Sequence, residues 1–160
     1  MENIRRQFVN SLIEAEKYCL AADHLIHVSL KVVKDPKLLL RAFEDIYNAL
    51  VLVISTVLRF EYLYKRISLK RDSKENLRIF INKCSKRYGL DEKDIGLIKE
   101  IIFLGKKHKE SGMEFSNQGK FVIVDDELGT FMLDLEKIRI FLDLVKRVLG
   151  NSKSKFIESF

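Results

Sequence analysis

Apolar residues recur at steps of three and four from Ile4 through Phe8, Leu12, Ala15, Cys19, Ala22, Ile26 and Leu30 to Val33. That spacing keeps one helical face apolar for about eight turns. Asp35 and Pro36 then interrupt it, one suited to an N-cap and the other to a first helical position. A second helix is predicted from there to about Leu69, and its middle, IYNALVLVIS, is apolar nearly all round, as expected of a helix with neighbours on several sides. Lys70-Arg71-Asp72 reads as a basic loop, with Ser73 as the cap of a third helix carrying Leu77, Phe80, Ile81, Cys84 and Tyr88. Gly89 supplies a left-handed stop.

Asp91 is placed to cap a fourth helix, with Asp94 in its first turn and Ile95, Ile98, Ile101 and Ile102 inward. Gly105 falls near its predicted end. Helical spacing then lapses. Residues 121–124 and 130–133 are short β-prone runs joined by Asp125-Asp-Glu-Leu-Gly129, a hairpin signal that needs helices to pack on. Asp134 caps a last helix with Leu135, Ile138, Leu142, Val145 and Leu149 inward, predicted to stop at Gly150. The expected fold is mainly all-α: an antiparallel bundle of about five helices with a small hairpin near 120–133. It forms one domain over residues 1–150, followed by a flexible tail, 151–160.

Composition narrows the class. With 47 % apolar and 32 % charged residues in 160 positions, the chain can bury a core of its own. The most apolar run, residues 49–58, is half of what a spanning helix needs, so it is expected to be core and not inserted in a membrane. No secretory signal is apparent at the N-terminus, which favours a soluble, cytoplasmic protein with Cys19 and Cys84 as reduced, buried small hydrophobes. Charge is uneven. Residues 1–64 carry 8 basic and 8 acidic groups, residues 65–120 carry 15 and 8, and residues 121–160 carry 6 and 7.

That basic middle third is the first candidate site. Lys70, Arg71, Lys83, Lys86, Arg87, Lys106, Lys107, Lys109 and Lys120, with Lys65, Arg66, Lys74 and Arg78, are expected to share a face if the helix ends meet. Such a face would neutralise phosphates, and Tyr62, Tyr64 and Tyr88 are near enough in sequence to stack on unpaired bases. His108 is the second candidate, because Glu114 and the Asp125–Asp126 pair lie within reach of the same irregular segment. His24 and His27 share a helix face with Asp23 beside them, but no third ligand follows, and no metal site is assigned there. Phosphate-loop, dinucleotide, hydrolase-elbow and calcium-loop motifs are all missing, so no cofactor is expected.

The layout of a long first helix, an apolar second helix bearing AFEDIYNALVLVIS and a following helical pair resembles prokaryotic HEPN-type bundles over residues 1–110. The resemblance implies RNA cleavage or RNA binding, often beside a nucleotidyltransferase partner. Active members carry an arginine four to six residues before a histidine. None precedes His24, His27 or His108 at that distance, so no catalytic residues transfer. The segment HKESGMEFSNQGKFVI is also similar to a motif in uncharacterised archaeal helical proteins, which implies no activity. The leading expectation is a non-enzymatic binding module for RNA or an acidic protein partner. The alternatives are a hydrolase or nuclease using His108 with Glu114 or Asp125 and Asp126, and a helical subunit that buries an exposed apolar face in a homodimer or partner complex.

Overall fold

The first apolar stripe, and the point where it departs from regular helix, set the frame of the molecule. A computed structural model describes residues 2–159. Among these, α1 (Glu2–His24) passes through a π-helical turn (Leu25–Ser29) into α2 (Leu30–Val33), so the first apolar stripe forms one continuous rod. Lys34, in the left-handed region at φ 56°, ends it. Asp35 then accepts a hydrogen bond from the Lys37 amide at 3.0 Å, which starts α3 (Lys37–Leu63). α4 (Ser73–Ile79), a second π-helical turn (Phe80–Cys84), α5 (Glu92–Glu110), strands β1 (Met113–Asn117), β2 (Lys120–Val124) and β3 (Thr130–Leu133), and α6 (Leu135–Ser159) follow.

α3 is the central element. It packs against α1, α5, α6 and β2. Ala42, Phe43, Ile46, Ala49, Leu50, Val53 and Val57 are buried along it. By length and composition α3 would also suffice to cross a membrane, with a mean hydropathy of 1.4 over its most apolar window, but 56 % of that window is buried inside the fold. At one end, Phe60 stacks on Phe156 at 4.1 Å between ring centres, and Phe8 meets Phe60 edge-on at 5.5 Å. At the other end Gly105 of α5 lies directly against Tyr47. A Cβ at position 105 would sit 2.3 Å from Tyr47 Cε2, so the two helices approach this closely only because glycine has none.

The mainly helical bundle with a small β element is as expected, but four boundaries differ. α3 ends at Leu63, not near Leu69, because Lys65 turns left-handed at φ 60°. Beyond it Ile67 and Leu69 point inward and Ser68 and Lys70 outward, the alternation of an extended segment. The third helix is capped by Asp72, which accepts from the Lys74 amide, and not by Ser73. Gly105 lies inside α5, which continues to Glu110. Finally, residues 151–159 are not a tail: α6 runs through Gly150 to Ser159. A mid-helix glycine costs about 1 kcal/mol, and burying Phe156 beneath Phe60 and Phe8 offsets it.

The β element has three strands, in the order β1-β2-β3, both pairs antiparallel. The additional strand, β1, is joined to β2 by Gln118 and Gly119 at φ 51° and 78°, a two-residue turn whose twist suits a hairpin. Phe121, Ile123 and Leu133 face the helices and are buried. Met113, Phe115 and Met132 lie on the opposite face and remain exposed.

Candidate nucleic-acid interface

Between Lys65 and Arg87 the chain carries nine basic groups against two acidic ones, so the whole positive surplus of the protein lies in 23 residues. They form the corner where α3 hands over to α4 and the second π-helical turn. Lys65, Arg66, Ile67, Ser68, Lys70, Ile79 and Lys83 line a shallow cavity there, about 390 Å³ in volume. Among the described residues, Lys65, Lys70, Arg71, Lys83 and Lys86 form no ion pair. Their charges are therefore available to an anion.

Two interactions hold this corner in shape. The carboxylate of Glu61, only 2 % exposed, accepts from Arg66 Nη1 at 3.1 Å and from the buried Tyr88 hydroxyl at 2.8 Å, with Arg87 Nε 3.3 Å away. The Asn76 amide grips the loop by accepting from the Lys70 amide and donating to the Lys70 carbonyl, both at 2.8 Å. Burial and the bond to Glu61 push the Tyr88 phenol well above its usual range. Tyr88, buried at 1 % exposure, is thus a structural group and not a base-stacking one. Tyr62, in the last turn of α3, is 57 % exposed.

The remaining predicted cations lie elsewhere. Lys107 pairs with Asp125 at 3.2 Å, and Lys109 sits over the Tyr47 ring at 4.9 Å. Lys106 and Lys120 are exposed. The hydrogen bond to Asp125 pushes the Lys107 ammonium up, while the Gly129 amide, ahead of Lys107, holds the Asp125 carboxyl below its usual value. Lys109 and the adjacent His108 attach to Tyr47 and Glu44, whereas Arg66 and Arg87 of the first group pair with Glu61 on the same helix. Seventeen residues of α-helix separate those anchors by roughly 25 Å. The expected shared face is therefore two clusters. What lies between them is an apolar groove of about 300 Å³ lined by Tyr47, Val51, Ile54 and Leu58 of α3 with Leu77 and Ile102.

His108 meets one of its predicted partners and one unforeseen. Its Nδ1 lies 2.5 Å from Glu114 Oε1 and its Nε2 3.0 Å from Glu44 Oε1, while Ser111 donates to the same Glu114 oxygen at 2.5 Å. The imidazole thus ties α3, α5 and β1 together with both ring nitrogens occupied. Asp125 turns to Lys107 instead, and Asp126 is exposed with neither a hydrogen bond nor an ion pair to His108. On α1, Asp23 is shared between His27 at 3.3 Å and Lys146 at 2.5 Å, and His24 faces Ser29. Among the described residues no three potential ligands are grouped to hold a metal ion.

No protein-family model, curated protein or solved structure matches the chain. Glu61, Asn76 and Glu44 are the contributors that sequence reasoning missed. Helical spacing marks Glu61 and Glu44 only as polar positions; Glu61 has Arg66 five positions on, but Tyr88 and His108 come from 27 and 64 positions away. Asn76, six positions from Lys70, carries a second local signal, an amide facing a loop.

Proposed function

We propose that this protein is a non-enzymatic binding module that engages the sugar–phosphate backbone of single-stranded RNA at the corner between α3 and α4. The observation that carries the reading is the surplus of seven charges within 23 residues, four of whose basic groups, Lys65, Arg66, Lys70 and Lys83, line one cavity, with Lys65, Lys70 and Lys83 unpaired. Phosphates displacing condensed counterions there would gain affinity without base readout. Tyr62, exposed in the last turn of α3 and three residues before Lys65, offers a stacking platform worth about 1–3 kcal/mol per base. The resemblance to HEPN-type bundles agrees with this ligand class. An acidic protein segment would satisfy the lysines but gain nothing from Tyr62.

Filter binding of an unstructured RNA across a salt series tests the proposal. Replacing Lys65, Lys70 and Lys83 together by glutamine should flatten the plot of log affinity against log salt by about 2, at 0.7 per cation. Tyr62→Ala should weaken RNA but leave poly-glutamate binding unchanged. No measurable RNA affinity at low salt, or equal losses for RNA and poly-glutamate on Tyr62→Ala, would refute the RNA reading.

One observation favours a second reading, hydrolytic chemistry at His108. Glu114 at 2.5 Å from Nδ1 is the arrangement that orients a general base. Glu44 occupies the other nitrogen at 3.0 Å and would have to swing away for that nitrogen to receive a proton. RNA cleavage abolished by His108→Gln would support it, and intact RNA after prolonged incubation with the unaltered protein would exclude it.

A further inference from the structure

The three-stranded sheet leaves β1 at an edge, and that edge is undefended. Natural edge strands are usually blunted by lysine, proline or a bulge. Met113–Asn117 has none of these. Its one inward charge, Glu114, is no deterrent either, because His108 and Ser111 already satisfy it. The two-residue turn at Gln118–Gly119 makes Asn117 and Lys120 a hydrogen-bonded pair, so Asn117, Phe115 and Met113 direct their backbone groups toward β2. Glu114 and Ser116 therefore turn their N–H and C=O groups outward, and no backbone hydrogen bond beyond the sheet involves either residue. The solvent side of the same sheet is apolar. Met113, Phe115 and Met132 are 60 %, 42 % and 50 % exposed, covering the buried Val122 between them.

We infer that β1 pairs antiparallel with β1 of a second copy of this chain, across a two-fold axis at Phe115, to give a continuous six-stranded sheet. The register follows from which groups are free. Centring the axis on Phe115 sets Glu114 opposite the partner's Ser116 and Ser116 opposite the partner's Glu114, so both outward N–H and both outward C=O groups of each strand are paired. No like charges face each other, and a hydroxyl stands across from a carboxylate on the inner face. Phe115 meets its own counterpart as a non-hydrogen-bonded pair, where side chains approach most closely. The antiparallel arrangement also brings the Lys120 end of one hairpin toward the partner's Glu110 end. Neither residue has an ion-pair partner within its own chain among the described residues, so the rims are complementary in charge. Another extended peptide could use the free backbone, but only a second copy supplies this matched register and rim at once. The interface lies on the sheet and does not depend on RNA binding at the α3–α4 corner.

Light scattering and sedimentation over a wide concentration range should give twice the 18.7 kDa protomer mass at high micromolar concentration. Ser116→Pro deletes an outward N–H without touching the hairpin's own bonds, so it should yield a monomer with unchanged helical circular dichroism. Phe115→Cys should crosslink into a covalent dimer on mild oxidation, because two copies meet at the axis. Met132→Cys, two strands away, should not, and the native thiols of Cys19 and Cys84 are buried and silent. A monomer at every concentration, a dimer indifferent to Ser116→Pro, or crosslinking at Met132 and not Phe115 would overturn the proposal. Should Ser116→Pro fail to fold, the cysteine pair still decides it.

Discussion

Glu61 holds two guanidinium groups and a phenol around one buried carboxylate, and removing it in two steps separates their contributions. Glu61→Gln keeps the shape and an acceptor for the Tyr88 hydroxyl but removes the charge. The Arg66 and Arg87 side chains are 33 % and 42 % exposed, so water takes over much of what they lose. Each pair then contributes about 1 kcal/mol, between the values for exposed and buried charged bonds. Glu61→Gln should therefore cost about 2 kcal/mol, a fall in melting temperature of roughly 4–8 °C for a domain of this size. Glu61→Ala also strands the Tyr88 hydroxyl, at about 1–3 kcal/mol more, for a total of about 4 kcal/mol. Urea unfolding of both variants and of Tyr88→Phe, closed as a double-mutant cycle, measures these values. A neutral or stabilising Glu61→Gln would refute the reasoning, since desolvation of the carboxylate would then outweigh its attraction to the arginines.

Further outcomes follow from other contacts. Gly105→Ala should destabilise by about 1–2 kcal/mol, because displacing Tyr47 exceeds the helix-propensity gain; Tyr47→Ala in the same chain should reverse the sign. Asp91 forms a reciprocal cap with Asp94, and the Asp94 amide holds its carboxyl below the usual carboxylate range. The native state thus binds that proton less tightly than the unfolded chain, so the stabilisation is present above pH 3.8 and lost as pH falls through the depressed value. Unfolding curves of Asp91→Asn and the parent should accordingly converge in acid. Burial pushes the thiols of Cys19 and Cys84 up to about 11, which removes stability as pH rises from 9 toward that value. At pH 8 both should resist a thiol reagent until denaturant is added. Phe156→Ala should cost about 3–5 kcal/mol by emptying the space against Phe60 and Phe8.

Helix stops and starts with a local chemical cause were readable from sequence: Gly89 is left-handed, and Asp91, Asp94 and Asp134 cap as their spacing suggested. Features decided by distant partners were not. Ile67 and Leu69 sit two apart, a spacing that fits an extended strand as well as a helix end, and only the turn at Lys65 settles it. Residues 151–159 look polar in sequence, yet Ser152 and Phe156 are buried while Ile157 is exposed. β1 alternates Met113, Glu114, Phe115 and Ser116, yet its polar half hides it until β2 is beside it. The same limit applies to the charged groups. His108 and Glu114 are six residues apart, and the pairing was open to inference; the split of the cations into two clusters depends on the length of α3 and was not.

The union of Tyr88 with Glu61 has an optical consequence. The chain has five tyrosines and no tryptophan, so its near-ultraviolet signal belongs chiefly to phenols. In alkaline solution Tyr88 keeps its proton for as long as the fold survives. Its share of the tyrosinate absorbance should then appear as a late, cooperative step coincident with loss of helix, giving the protein an intrinsic spectroscopic marker of its own unfolding.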